Sequence, residues 1–226
     1  MIGKAPYRLL LSLLIVIDVL MPAWGHADPT PEPSAIEGFD SAVPEDVSRL
    51  LRATRQRYGE DAVAIETNLL VNAMRNGSLL ATAVRVDGIR EYQGKRYLGF
   101  QVETGMIFDD RTRGQTDRLQ ILWASIMEPV LARLTDGLQL PADGMSVALQ
   151  YHHRSYASVA ELRASIDQPG PSEEATFHVL ASDVDDLVRR RLTTRTLIER
   201  TRITVNGQER SVPPVAHDPL GAPGPP

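Results

Sequence analysis

The longest helical pattern in the chain lies at residues 116–136. Its apolar side chains recur every three or four positions over about five turns: Leu119, Leu122, Trp123, Ile126, Met127, Val130, Leu131 and Leu134. This spacing predicts an amphipathic helix, with Thr116 as its N-cap and Gly137 as its stop. Pro129 lies inside the pattern and lacks the backbone donor that a helix needs, so we expect a kink there.

Three runs before this helix alternate between apolar and polar residues and predict strands. The runs cover residues 63–74, 78–87 and 96–104. Turn residues separate them: Asn76-Gly77, Asp87-Gly88 and Gln93-Gly94. Period-two alternation is typical of a sheet that buries one face, and Asn-Gly tolerates the positive φ of a tight hairpin. We therefore expect an antiparallel meander whose apolar face receives the central helix.

The remaining segments alternate between helical and strand-like patterns. Helical patterns cover residues 44–58, 159–166 and 182–192, and strand-like patterns cover 145–153, 175–181, 196–205 and 208–212. Ser182 is the expected cap of the third helix, and Asn206-Gly207 predicts a second hairpin. The element order predicts an α+β fold, in which a mixed, largely antiparallel sheet packs against helices on one face as a two-layer sandwich. Two small lobes joined near residues 137–144 are the alternative.

The amino terminus has the pattern of a secretory signal peptide. Residues 1–27 combine a positive start, at Lys4 and Arg8, with an apolar run and a small-residue cleavage site. An uncleaved membrane anchor is the alternative, although the run is too short to span a bilayer and Asp18 interrupts it. After cleavage we expect a protein with no transmembrane segment, in the periplasm or secreted to the medium.

The rest of the chain divides into a linker, a domain and a tail. Residues 28–43 are rich in proline and predict an extended linker, and residues 213–226 predict a disordered tail rich in proline and glycine. Residues 44–212 remain for a single α+β domain, which is long enough to bury a sizeable core.

Composition narrows the classes of function. The chain has no cysteine and a formal net charge of −5. Cleavage of the signal peptide removes two positive charges and one negative charge, which leaves −6. An exported chain without cysteine depends on its core for stability, and an acidic balance gives no general reason to bind nucleic acid. Nearly all basic residues are arginine, which suggests a GC-rich bacterial genome.

Residues 105–114 form the most irregular segment of the predicted domain. They place exposed apolar groups beside both charges, with Asp109, Arg111 and Arg113 as the candidate contact residues. Such a loop is a plausible binding element, because loops on a rigid scaffold often carry function. A strand that continues from the third run and ends in salt-bridged turns is the alternative.

His152 and His178 complete the set of candidate binding residues. His152 and His153 are adjacent on a predicted strand and so point to opposite faces, and His178 lies on the next predicted strand. If these strands pair, His152 and His178 share a face, and two histidines with a carboxylate can hold a metal. Nothing in the spacing requires this arrangement, so we expect no metal and no cofactor.

The sequence favours a binding role over catalysis. It lacks the nucleophile-elbow, zinc-helix, phosphate-loop and dinucleotide-binding motifs. We expect an exported bacterial protein of non-catalytic function, a periplasmic or secreted binding or assembly component with a protein or small-molecule partner in the cell envelope. The alternative is a hydrolase-like enzyme with an unrecognised site near strands 145–153 and 175–181, because many sites are assembled from distant residues.

Overall fold

The computed structural model describes residues 45–78, 83–155, 161 and 170–211. The chain forms two compact units, residues 1–52 and 53–226. In the first unit the described residues belong to helix α1 (Glu45–Tyr58) and contain an exposed ion pair between Arg49 and Glu45, at 3.8 Å. The remainder of α1 and all other elements belong to the second unit. The predicted signal peptide, linker and tail lie outside the described residues.

Helix α2 (Glu60–Arg75) replaces the first strand of the predicted meander. The alternating residues of the 63–74 run also fit helical spacing, and the buried positions of α2 follow the helical period: Ala62, Val63, Ile65, Glu66, Leu69, Leu70, Val71, Asn72 and Ala73. The run is longer than a typical strand and contains neither glycine nor proline, which are signs of a helix. Helix α1 confirms the helical prediction for residues 44–58.

The Asn76-Gly77 dipeptide ends α2 and does not form the predicted hairpin. The Gly77 N–H donates to the Met74 carbonyl at 3.2 Å, and the Ser78 N–H donates to the Ala73 carbonyl at 3.0 Å. Gly77 has a φ of 99°. These two bonds and the positive φ define a Schellman motif, which satisfies the last carbonyls of a helix. Hairpins and this motif both need a positive φ, so the dipeptide alone does not distinguish them.

Strands β1 (Val84–Tyr92) and β2 (Lys95–Asp109) form an antiparallel hairpin. Gln93 and Gly94 both have positive φ, of 48° and 72°, which fits the two-residue turn predicted there. The predicted turn at Asp87-Gly88 is wrong, because β1 continues through it with a β-bulge. The run at 96–104 is confirmed and continues to Asp109. Of the predicted run at 78–87, residues 79–82 lie outside the described part of the chain.

The sheet has six strands in the order β1-β2-β3-β4-β5-β6. The last four strands are β3 (Gly144–Arg154), β4 (Ser172–Leu180), β5 (Arg202–Val205) and β6 (Gln208–Arg210). Only the β2–β3 pair is parallel, and the other pairs are antiparallel. This confirms the mixed, largely antiparallel sheet of an α+β fold. Strands from both sides of residues 137–144 belong to the same sheet.

The parallel pair requires a crossover, which the central helical segment provides. It consists of α3 (Gln115–Leu122), a π-helical turn (Trp123–Met127) and α4 (Glu128–Leu131). Thr116 is not its cap. Instead, the Gly114 N–H donates to the Asp117 carboxylate at 3.1 Å. The segment ends earlier than predicted, although Gly137 does have a positive φ, of 76°.

Pro129 accounts for the π-helical turn, which ends two residues before it at Met127. The Glu128 N–H donates to the Trp123 carbonyl, five residues back. Pro129 has no N–H for the Ser125 carbonyl. That carbonyl instead accepts a bond from the Asn76 side chain, at 3.1 Å. The irregularity predicted at the proline is therefore a change of hydrogen-bond period, and α2 supplies the missing donor.

The segment between β4 and β5 forms α5 (Ala181–Val188) and α6 (Thr194–Arg200). Ser182 does not cap α5, because the N-cap is Leu180. The strand predicted at 196–205 is wrong over its first half, where α6 lies. Thr193 caps α6 by accepting from the Thr196 N–H at 3.2 Å. Of the helix predicted at 159–166, only residue 161 belongs to the described chain.

One face of the sheet carries the apolar core, under the helices. Register places Phe100, Val147, Phe177 and Ile203 in one row across β2 to β5, and all four are buried. The Trp123 ring contacts Phe177, with centroids 5.9 Å apart, and α2 packs on β1 and β2. The two-layer arrangement is therefore confirmed. We call the other side of the sheet the open face, which includes Gly99, Ser146 and His178 by register.

Candidate functional site

Most of the predicted binding residues lie where the parallel strands β2 and β3 both end. Asp109 is the last residue of β2, and Arg111 and Arg113 follow it in the turn to α3. His152 lies on β3 in register with Ile107. The carboxyl ends of parallel strands are the usual ligand-binding positions of α/β sheets. We call this region the β2–β3 corner, and it comprises residues 107–118, 151–154 and 173.

His178 lies apart from the corner. It pairs with Ser146 on β3, whereas His152 pairs with Ser172 on β4. Both histidines are on the open face, but His152 is six positions beyond Ser146, which corresponds to roughly 20 Å of extended strand. The two histidines therefore do not form a shared metal site. Within the described residues, no group of three or more His, Asp or Glu side chains could hold a metal ion.

The turn after β2 is fixed by its own backbone. The Asp109 carboxylate accepts the Arg111 N–H at 3.0 Å and one Arg111 guanidinium N–H at 3.2 Å. The Asp109 carbonyl accepts the N–H groups of Thr112 and Arg113 at 3.1 and 2.9 Å. Short acidic side chains that bond their own backbone favour turns of this kind. Asp109 and Arg111 therefore have a structural role in shaping the turn.

Arg118 is the buried centre of the corner. Its side chain is only 9% exposed, and it donates to the Asp110 carboxylate at 2.7 Å and the Glu173 carboxylate at 3.1 Å. It also donates to the Arg113 carbonyl at 3.1 Å. A buried charge is costly unless it is paired and hydrogen-bonded. The two terminal nitrogens of Arg118 each bond a different carboxylate, whereas its buried Nε has no hydrogen-bond partner among the described residues. Arg118 thus joins the turn, α3 and β4 at a single point.

Tyr151 extends this network into the sheet. Its hydroxyl donates to the Glu173 carboxylate at 2.7 Å, and its ring contacts Phe108 edge to face at 5.5 Å. Burial, followed by the hydrogen bond to the neighbouring Glu173 carboxylate and its charge, raises the pKa of the Tyr151 phenol. The phenol consequently stays protonated, since both its burial and the adjacent negative charge oppose ionisation.

His153 lies on the helix side of the sheet and completes the corner. Its Nδ1 is 2.9 Å from one oxygen of Asp110 and 3.1 Å from the other. Asp110 therefore lies between Arg118 and His153, which fixes the orientation of the imidazole. His152, on the open face, is held separately, since its Nδ1 is 3.0 Å from the Gly170 carbonyl.

The exposed side chains of the corner include Ile107 and Arg113. Ile107 is 46% exposed, although it is a large apolar residue on a strand. Arg113 is exposed, and its guanidinium forms no ion pair or hydrogen bond with the residues that the structure describes. An isolated exposed apolar residue is ordinary. Ile107 on β2 and Arg113 in the following turn, which Arg118 anchors, give the exposed part of the corner one apolar and one cationic side chain.

His178 belongs to an aromatic cluster on the open face. Its ring stacks on Tyr92 with centroids 4.1 Å apart and meets the edge of Tyr97 at 5.2 Å. Its Nδ1 is buried and has no hydrogen-bond partner among the described residues. Burial, together with the charge of Arg90, lowers the pKa of His178 to about 4. The ring is therefore neutral at neutral pH and packs as an aromatic group.

Several residues of the corner were not singled out by sequence reasoning. Arg118, Glu173 and Tyr151 lie far apart in the chain, and only the β2–β3 and β3–β4 pairings bring them together. One signal was present, because Arg118 precedes Leu122 by one helical turn and so lies on the apolar stripe. A charged residue at a core-facing position requires buried partners. The sequence does not identify those partners.

Comparison with known proteins adds no assignment to this geometry. No family model, curated protein or solved structure matches the chain. None of the helices in the described residues is long and apolar enough to cross a membrane.

Proposed function

We propose that the chain is an exported bacterial protein with a non-catalytic binding or assembly role in the periplasm or the medium. Its contact surface is the exposed part of the β2–β3 corner, formed by Ile107 and Arg113. The observation that carries this proposal is the bonding of Arg118, which ties the turn carrying Arg113 to Glu173 of β4.

The energetics of Arg118 support a role for this turn. A buried ion network contributes little stability compared with apolar residues of the same size, and its attested advantage is conformational specificity. Here the network ties a short exposed turn, which Asp109 already shapes, to Glu173 of β4. A turn held rigid before binding loses less entropy when a partner docks. A recognition surface is therefore a reason to retain an ion network that an apolar core does not need.

Site-specific photo-crosslinking in the native host tests the contact surface. A photoreactive amino acid at Ile107 is expected to join the chain to one defined envelope protein. The matched control is Ile89, which is similarly exposed, at 40%, on β1. The substitution Arg113→Glu should reduce the Ile107 adduct about tenfold or more, because it places a like charge against the partner. Equal adducts at Ile89 and Ile107 would contradict the proposed surface.

The alternative function is a hydrolase-like enzyme, and one contact favours it. Asp110 orients His153 through Nδ1, which leaves Nε2 as a base. In that case His153→Gln abolishes hydrolysis of simple ester substrates, whereas His178→Gln does not. Equal activity of the two variants would remove this alternative.

A further inference from the structure

A buried acid on α2 has no charged partner. Glu66 is 3% exposed, and its Oε2 atom finds no donor among the described residues. Its side chain forms a hydrogen bond with the Thr54 side chain of α1, which is itself 5% exposed. The Glu66–Thr54 contact therefore connects two consecutive helices through a group that can ionise.

The surroundings of Glu66 oppose its ionisation. Burial raises the pKa of the carboxyl, and the hydrogen bond from Thr54 offsets only part of this. No charged group among the described residues contributes to the pKa, although the elements packed against α2 carry several: Arg55, Arg57, Arg85, Asp87, Arg90, Glu91, Lys95, Arg96, Glu103, Asp109 and Glu128. Ionised Glu66 would be a buried, half-satisfied charge, which is costly.

The contact between α1 and α2 has the features of a movable joint. A single residue, Gly59, separates the helices, and its φ of 92° lies in a region that glycine adopts at little cost. From Ala53 to Tyr58 the buried contacts are few: Thr54 is buried, Ala53 is exposed, and Tyr58 is half-buried with its hydroxyl near Gly88 of β1. The Arg55 side chain also pairs with Glu60 across the joint at 2.8 Å, but both groups are partly exposed, so this pair contributes little. The buried Glu66–Thr54 contact therefore has a large share in holding this half of α1.

We propose that Glu66 is a pH-dependent latch for the carboxyl-terminal half of α1. With the carboxyl protonated, no charge is buried and the Glu66–Thr54 contact keeps residues 53–58 against α2; on ionisation the Thr54 bond offsets only part of the cost of burial. Ionisation puts a charge in a site that lacks a second donor, and separation of the two helices at Gly59 is the shortest route by which water reaches it. The latch is closed at acidic pH and opens as the pH rises.

The direction follows from linkage. In the unfolded chain the Glu66 carboxyl has its ordinary pKa of 4.5, whereas in the folded chain burial raises this pKa. The stability of the closed contact is therefore complete below that ordinary value and is lost as the pH rises towards the pKa of the folded site.

Hydrogen exchange of the α1 backbone measures the latch directly. In the full chain, protection of the amides at residues 53–58 is expected to fall as the pH rises from about 5 to about 8, after correction for intrinsic exchange, since a buried carboxylate without a second donor is costly. Glu66→Gln keeps the size of the side chain but cannot ionise, so its protection should be independent of pH. Glu103→Gln, at an exposed position of β2, is the control and should behave as the unmodified chain.

A second measurement covers the case in which Glu66→Gln does not fold. The carboxyl carbon of Glu66 is followed by NMR in the unmodified chain, beside the amide signals of residues 53–58. A common midpoint for the two signals supports the latch. Separate midpoints, titration of Glu66 at its ordinary value, or a pH dependence retained in Glu66→Gln would overturn it.

Discussion

The two ends of the β3–β4 ladder bury polar side chains in different ways. At the β2–β3 corner, Arg118 is surrounded by carboxylates, and its guanidinium bonds Asp110 and Glu173. At the other end, His178 lies between Tyr92 and Tyr97 with its Nδ1 unpaired within the described chain. The first end keeps its charges and pairs them. The second end keeps its titratable group neutral.

This difference shows how side chains that are both polar can have different roles. Arginine cannot lose its proton in a protein, so burying Arg118 requires acceptors from two other elements. Histidine can become neutral, so His178 needs only an aromatic environment. The corner is therefore sensitive to the loss of any one partner, whereas the aromatic cluster is sensitive mainly to pH.

The largest expected effect is at Arg118. Arg118→Met should lower the free energy of unfolding by about 3 kcal/mol, the lower end of the range for breaking a buried ion pair, because Asp110 and Glu173 lose their cation but are themselves partly exposed. Arg85→Met, at an exposed position that bonds Gln101, should cost less than about 1 kcal/mol. Denaturant unfolding of both variants measures the difference. Equal losses would show that the corner is not an energetically coupled network.

An intermediate effect is expected at His178 and depends on pH. The pKa of His178 in the folded chain, about 4, is below its ordinary value of 6.5. The neutral His178 ring therefore contributes fully to the free energy of unfolding above pH 6.5, and this contribution is lost as the pH falls towards 4. The loss should be about 2 kcal/mol, because solvent screens the partly exposed ring.

His178→Phe keeps the aromatic packing and should remove that part of the pH dependence. Unfolding measured across this pH window, with NMR titration of the imidazole, tests the prediction. An imidazole that titrates near its ordinary value would contradict the neutral role assigned to this end of the ladder.

The smallest expected effect is at Asn76, whose uncharged side chain donates a hydrogen bond to the Ser125 carbonyl. Asn76→Ala removes the donor to the Ser125 carbonyl and should cost about 1 kcal/mol, the usual contribution of one hydrogen bond. Asn68→Ala is the control and should cost less, because the Asn68 side chain only donates to the Ala64 carbonyl of its own helix at 2.9 Å and accepts a long bond from Arg133 at 3.5 Å. Thermal unfolding compares the two variants. A larger loss at Asn68 would show that Ser125 does not depend on Asn76.

Local patterns in the sequence were sufficient for elements whose burial follows a single period. The alternation at 96–104 and 145–153 predicted β2 and β3, and the Gln93-Gly94 and Asn206-Gly207 turns have the positive φ values expected. The run at 63–74 was ambiguous, since its β-branched residues fit both periods, and packing of α2 on the sheet decided for a helix. The prediction of a strand over 196–205 was wrong in its first half, because Thr193 caps a helix there.

The sequence by itself determined the α+β class, the apolar stripe of the central helix and the irregularity at Pro129. It also pointed to the loop at residues 105–114 as a candidate contact region. Only the tertiary structure decided that β2 and β3 are parallel, which brings Asp110, Arg118 and Glu173 together and keeps His152 away from His178. The physical reason is that strand register is set by burial of a whole face, and single-residue patterns do not encode which strands become neighbours.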